Sequence, residues 1–208
     1  MDGDGDLDVI SSSQNDDKIA WYENLDGFGQ LSDQRIVSVT ADRVLQVIPA
    51  DMDGDGDVDL YLCRSSGTSR TNWLLVNDGE GVFGEEGGNR GVDSTASCRS
   101  MAWADVDGDG DVDLLVVAYN SGDQLFLNDG SGSFVSVGGD RGFADTAYGV
   151  GVGVGDVDGD GELKTNMVGM PKEPWGISNN AAGRFGPPKW EDARFTLPAT
   201  SPQAITLR

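Results

Sequence analysis

Asp51-Met52-Asp53-Gly54-Asp55-Gly56-Asp57-Val58-Asp59-Leu60 returns further along the chain as Asp105-Val106-Asp107-Gly108-Asp109-Gly110-Asp111-Val112-Asp113-Leu114, with one residue changed. Asp stands at positions 1, 3, 5 and 9 of the pattern, Gly at 6 and a further acid at 7. A partial copy opens the chain with Asp2, Asp4, Asp6 and Asp8 around Gly5. Another runs through Asp156, Asp158, Asp160, Gly161 and Glu162, with Lys164 in the ninth place. The third-position acids, Asp2, Asp53, Asp107 and Asp158, are 51, 54 and 51 residues apart. An Asn at the end of an apolar run keeps the same beat at Asn24, Asn77, Asn128 and Asn179, each followed by a Gly-containing turn and an aromatic residue. Two unrelated features on one period of about 50 residues mark an internal repeat.

Each unit reads as four short strands. In the third, the runs around Met101–Ala104, Val112–Ala118, Gln124–Leu127 and Phe134–Val137 are rich in Val, Leu and Phe and are cut by Gly, Asn and Asp turns. No 3.6-residue apolar period lasts long enough to define a helix. Four antiparallel strands per unit, repeated without helices, predict an all-β protein: a β-propeller, or part of one, of four blades of about 52 residues. The acidic loops then fall between the first and second strands. The whole chain, 1–208, is one such array, with units 1–50, 51–104, 105–155 and 156–208, the last degenerate after about residue 185. The alternation Gly149-Val150-Gly151-Val152-Gly153-Val154-Gly155 fits a crowded inner strand and not a dinucleotide loop, since no helix follows it. Trp21, Trp73 and Trp175 fall in the third strand of their units, where packing is the first expectation and sugar stacking the second.

The composition sharpens the chemistry. The 208 residues carry 36 acidic and 14 basic side chains, no histidine and a formal charge of −22. That balance opposes a nucleic-acid interface and docking on anionic lipid, and no apolar span is long enough to insert in a membrane. Asp outnumbers Glu 29 to 7, and eighteen of the 36 acids lie in the four loops. Short carboxylates at alternate positions of a tight turn, with a position-7 carbonyl as a further donor, form an oxygen-only cage that suits Ca²⁺. The expected ligands are Asp51, Asp53, Asp55, Asp57 and Asp59; Asp105, Asp107, Asp109, Asp111 and Asp113; Asp156, Asp158, Asp160 and Glu162; and Asp2, Asp4, Asp6 and Asp8. The first loop lacks position 1 and the fourth carries Lys164, so the two full loops are expected to bind more tightly.

These loops resemble the calcium loops of FG-GAP/VCBS repeats. The runs Lys18-Ile19-Ala20-Trp21-Tyr22-Glu23-Asn24 and Leu125-Phe126-Leu127-Asn128-Asp129-Gly130 are similar to the second half of such a unit. The resemblance covers about residues 1–185. It implies a calcium-bound propeller used outside the cell for adhesion or ligand recognition, with a protein or glycan ligand. The integrin-type Gly-Ala-Pro motif is missing, only four units are present, and the last 23 residues fit poorly.

With Met1 inside a loop and Arg208 ahead of any fifth one, the expected forms are a stretch of a longer propeller or a four-bladed ring closed by Ala204–Leu207. Cys63 and Cys98 lie in neighbouring units and are either bonded or two buried thiols. The leading functional expectation is a non-catalytic calcium-stabilised module at the cell surface or outside the cell. The alternatives are a lectin-like propeller with sugar sites between blades, and an accessory domain of a polysaccharide-active enzyme.

Overall fold

The computed structural model describes residues 1–65, 71–119, 121–138, 148–156, 164–170, 175–180 and 184–185. Four antiparallel sheets follow one another along the chain. The first sheet holds β1 (Val9–Ser13), β2 (Lys18–Tyr22) and β3 (Arg35–Ser38), and the second holds β4 (Val44–Ala50), β5 (Asp59–Arg64), β6 (Trp73–Asn77) and β7 (Phe83–Glu85). The third contains β8 (Cys98–Ala104), β9 (Asp113–Ala118), β10 (Gln124–Asn128) and β11 (Phe134–Ser136). The fourth contains β12 (Tyr148–Gly155), β13 (Lys164–Met170), β14 (Trp175–Asn180) and β15 (Arg184–Phe185). A single helical turn, α1 (Gly87–Arg90), precedes the third sheet and ends at Gly91, whose φ of 85° is left-handed.

Three sheets have the expected four strands in simple meander order, and the first has three. In the second, β4 pairs with β5 up to Ala50↔Asp59, so the acidic loop is the hairpin connection between first and second strands. β8 and β9 repeat this, ending at Ala104↔Asp113. In the first sheet β1 follows the loop as β5 does, and the place that β4 takes is without a strand among the described residues. The opening strands β4, β8 and β12 share a register shift, spanning Val44/Gln46, Cys98/Ser100 and Gly149/Gly151. The repeat thus extends to an irregularity that composition does not encode.

Each sheet packs on the next. Tyr61 and Cys63 of β5 join Leu114 and Val116 of β9 in one core, while Leu60 and Leu62 turn to a second core with Ile19 of β2. Leu115 and Val117 of β9 enter a third, covered by Val152 and Val154 of β12. This accounts for the apolar runs in β5 and β9: all six residues of each are buried, because both faces of the strand meet a neighbouring sheet. Cys63 and Cys98 are bonded, their Cα atoms 5.3 Å apart, joining β5 to β8 across the seam between second and third sheets.

In the glycine-rich strand, a Cβ on Gly149 would fall 2.2 Å from Val117 Cγ1, so crowding demands glycine there, and among the described residues nothing lies within 4 Å of a Cβ on Gly151, Gly153 or Gly155. Trp21 is buried and Arg35 lies 4.8 Å from its ring, and Arg64 covers Trp73 at 4.4 Å. Packing and cation–π contact occupy these indoles. Trp175 opens β14, and its side chain lies outside the described residues.

Candidate metal centre

The two full loops fold alike. Gly54 and Gly56 have φ of 74° and 95°, and Gly108 and Gly110 have 80° and 100°; these left-handed turns are open to glycine at little cost. Asp51 accepts the N–H of Gly54 at 2.9 Å and of Gly56 at 3.1 Å. Asp105 accepts those of Gly108 and Gly110 at 2.7 and 3.0 Å. Asp55 and Asp109 each accept the N–H two residues on. The backbone is wound so that the side chains at positions 1, 3 and 5 converge. One oxygen from each of Asp51, Asp53 and Asp55 lies within 4.8 Å of the others, and Asp105, Asp107 and Asp109 do the same. Among the described residues these are the two places where three such groups gather.

The acids at positions 7 and 9 make further contacts within the fold. The carboxylates of Asp57 and Asp111 lie against the turn after the marker Asn, where a Cβ on Gly79 or Gly130 would come within 2.6 or 2.5 Å of them. Asp59 and Asp113 are buried, 1% and 0% exposed. Asp59 accepts the N–H groups of Asn77 at 2.8 Å and Met52 at 3.4 Å. Asp113 accepts those of Asn128 and Val106, both at 2.9 Å. Burial pushes both carboxyls up to about 6, against the pull of those N–H donors.

The marker Asn completes the lock. Asn128 Oδ1 accepts from Gly130 and Gly132, and its Nδ2 donates to Val112 O at 3.1 Å and to Met52 O, in the preceding loop, at 2.7 Å. Asn77 does the same locally, accepting from Gly79 and Gly81 and donating to Val58 O. The acidic loop and the Asn turn share a period because they are two halves of one hydrogen-bonded corner.

In the first loop, Asp8 accepts from Asn24 N at 2.9 Å and from the Met1 nitrogen, and Asp6 N donates to Asp4. Asp2 and Asp4 are left to fill positions 3 and 5 without a position-1 oxygen. Asp156 is exposed, and Asp158, Asp160 and Glu162 lie outside the described residues.

One residue escaped the pattern. Arg90, at the end of α1, donates to Asp53 Oδ2 at 3.2 Å, Glu86 Oε2 at 2.9 Å and Ser131 O at 2.7 Å. It thereby links the second acidic loop to the Asn turn of the next sheet. Asp53 Oδ1 is buried with no hydrogen-bond partner. Arg90 is far from Asp53 in sequence, and only the stacking of sheets brings them together.

Consecutive antiparallel sheets with Asp-rich corners at matching places define an all-β repeat protein. The chain belongs to the FG-GAP-like repeat family, whose model matches residues 1–62, 51–116 and 110–164. A second family model, for an uncharacterized protein conserved in bacteria (DUF2141), matches residues 141–206. No curated protein matches the chain. Among solved structures it is similar to an Agrocybe aegerita lectin reported for specific recognition of non-reducing terminal N-acetylglucosamine, with 26% identity and a TM-score of 0.55. The match covers 89% of this chain and 48% of the lectin, so the chain spans about half that protein's length. Among the described residues no helix is long and apolar enough to cross a membrane.

Proposed function

We propose that the chain is a non-catalytic recognition module, a run of propeller blades whose corners at Asp51–Asp59 and Asp105–Asp113 are held by Ca²⁺. The observation that carries the reading is the convergence of three carboxylates at positions 1, 3 and 5, built twice by the same backbone hydrogen bonds. Three such charges repel one another unless a cation lies among them. The buried, unpartnered Asp53 Oδ1 fits a hard cation, which takes oxygen donors alone. Asp51, Asp53 and Asp55, and likewise Asp105, Asp107 and Asp109, would hold the ion, which would supply charge neutralisation and a fixed corner.

A non-catalytic role is supported by where the perturbed acids are placed. Asp59 and Asp113, whose carboxyls are pushed up, are both engaged by backbone N–H groups inside the fold. The Cys63–Cys98 bond supports an oxidising, extracellular setting. The similarity to a lectin favours glycan recognition as the particular form of this role.

Calorimetric titration with calcium tests the metal. Two sites are expected in the parent protein and one after Asp105→Ala or Asp51→Ala. Unchanged stoichiometry in both variants would overturn the assignment.

A further inference from the structure

The third sheet carries a cleft of about 470 Å³ at the end opposite its acidic loop. One wall is the segment before β8, with Asp93, Ser94 and Thr95; the other is Ser121 and Gly122, ahead of β10, with Gln124 at the start of that strand. We propose that this cleft binds a neutral sugar ring, an inference that rests on the recognition reading above and assigns it a place.

Volume, polarity and charge agree. Pockets of 300–1,000 Å³ take small ligands, and this one is large enough for one or two sugar rings. Its walls offer hydroxyls, one amide and one carboxylate, with no Lys or Arg among the lining residues. Asp93 is exposed and makes no hydrogen bond or ion pair among the described residues. An unoccupied carboxylate of this kind accepts two vicinal hydroxyls. Ser94 Oγ bonds Gln124 Oε1, which leaves the Gln124 amide nitrogen as donor. Ser121 lines the cleft, and its buried Oγ is without a hydrogen-bond partner among the described residues. The uncompensated Asp93 rejects a ring that bears an acid group.

The walls are held before any ligand arrives. Asn72 N donates to Ser94 O and Tyr119 N to Ser97 O, both at 2.8 Å, so the segment is gripped from the second sheet and from the third. The next residue, Cys98, is bonded to Cys63. A loop fixed in this way loses little entropy on binding.

The test uses the calcium-loaded chain, with glucose, N-acetylglucosamine and glucuronate as probes, followed by saturation-transfer NMR and calorimetry. The neutral sugars are expected to bind and glucuronate not to. Asp93→Ala, at an exposed position, should weaken binding about tenfold with the thermal midpoint unchanged, as should Ser121→Ala, since a lost polar partner is worth about that much. Trp21→Ala or Trp73→Ala proteins that remain folded should bind as before. Glucuronate binding as tightly as glucose would overturn the proposal. So would neutral-sugar binding that Asp93→Ala and Ser121→Ala leave intact, which places the sugar elsewhere and spares the recognition reading. If none of the sugars binds, the cleft assignment fails, and calcium-dependent cell attachment by the same protein would show that the broader reading survives it.

Discussion

The loops Asp51–Asp59 and Asp105–Asp113 differ by one residue in sequence and fold with the same backbone hydrogen bonds, yet they stand in different surroundings. Asp53 shares an oxygen with Arg90, which reaches it from α1. The third loop is locked more tightly: Val106 N lies 2.9 Å from Asp113, against 3.4 Å from Met52 N to Asp59. Its Asn128 also grips the previous loop through Met52 O. A nine-residue motif therefore determines its own winding, while the adjoining sheet determines how much charge and how much rigidity it keeps.

The largest effect should come from the buried carboxylates. Asp113→Ala leaves two buried N–H groups without acceptors and is expected to cost about 3 kcal/mol, with Asp59→Ala somewhat less because one of its bonds is long. Urea unfolding of the two variants measures the gap, and equal losses would erase this part of the distinction. Next comes the marker Asn. Asn128→Ala should cost about 1 kcal/mol more than Asn77→Ala, the worth of the additional bond to Met52 O. A smaller or reversed difference in denaturation midpoint at constant slope would show that the seam is held by packing alone. The smallest effect concerns charge. Arg90→Gln should tighten calcium binding at Asp51–Asp59 by about 1 kcal/mol, a factor of roughly five, since a partly exposed cation competes weakly. The measurement is made in a protein whose third loop is silenced by Asp105→Ala; weaker binding there would mean that Arg90 organises the site and does not compete with it.

Much of the architecture was legible because the same period is written twice, once in Asp and once in Asn. Strands such as Leu114–Ala118 announce themselves by continuous apolar character, which follows from burial on both faces. The gathering of Asp51, Asp53 and Asp55 was legible for a local reason: alternate positions around two left-handed glycines have little choice but to converge. Other features were not, because they depend on how sheets meet. Nothing near Asp57 or Asp59 in sequence says that one faces the Asn turn and the other clamps it. Cys63 and Cys98 are 35 residues apart, and their bond depends on two sheets being brought face to face. In the glycine run of β12, contacts among the described residues account for Gly149 through its approach to Val117.

The middle sheets contribute to two cores at once, one through each face of β5 and β9. Stability in such an array is transmitted by nearest-neighbour coupling, and a sheet held on both sides opens only when one neighbour has already let go. Amide protons of β5 and β9 should exchange most slowly, and those of β2 sooner. Opening then proceeds sheet by sheet and not strand by strand, with the Cys63–Cys98 bond keeping the second and third sheets together.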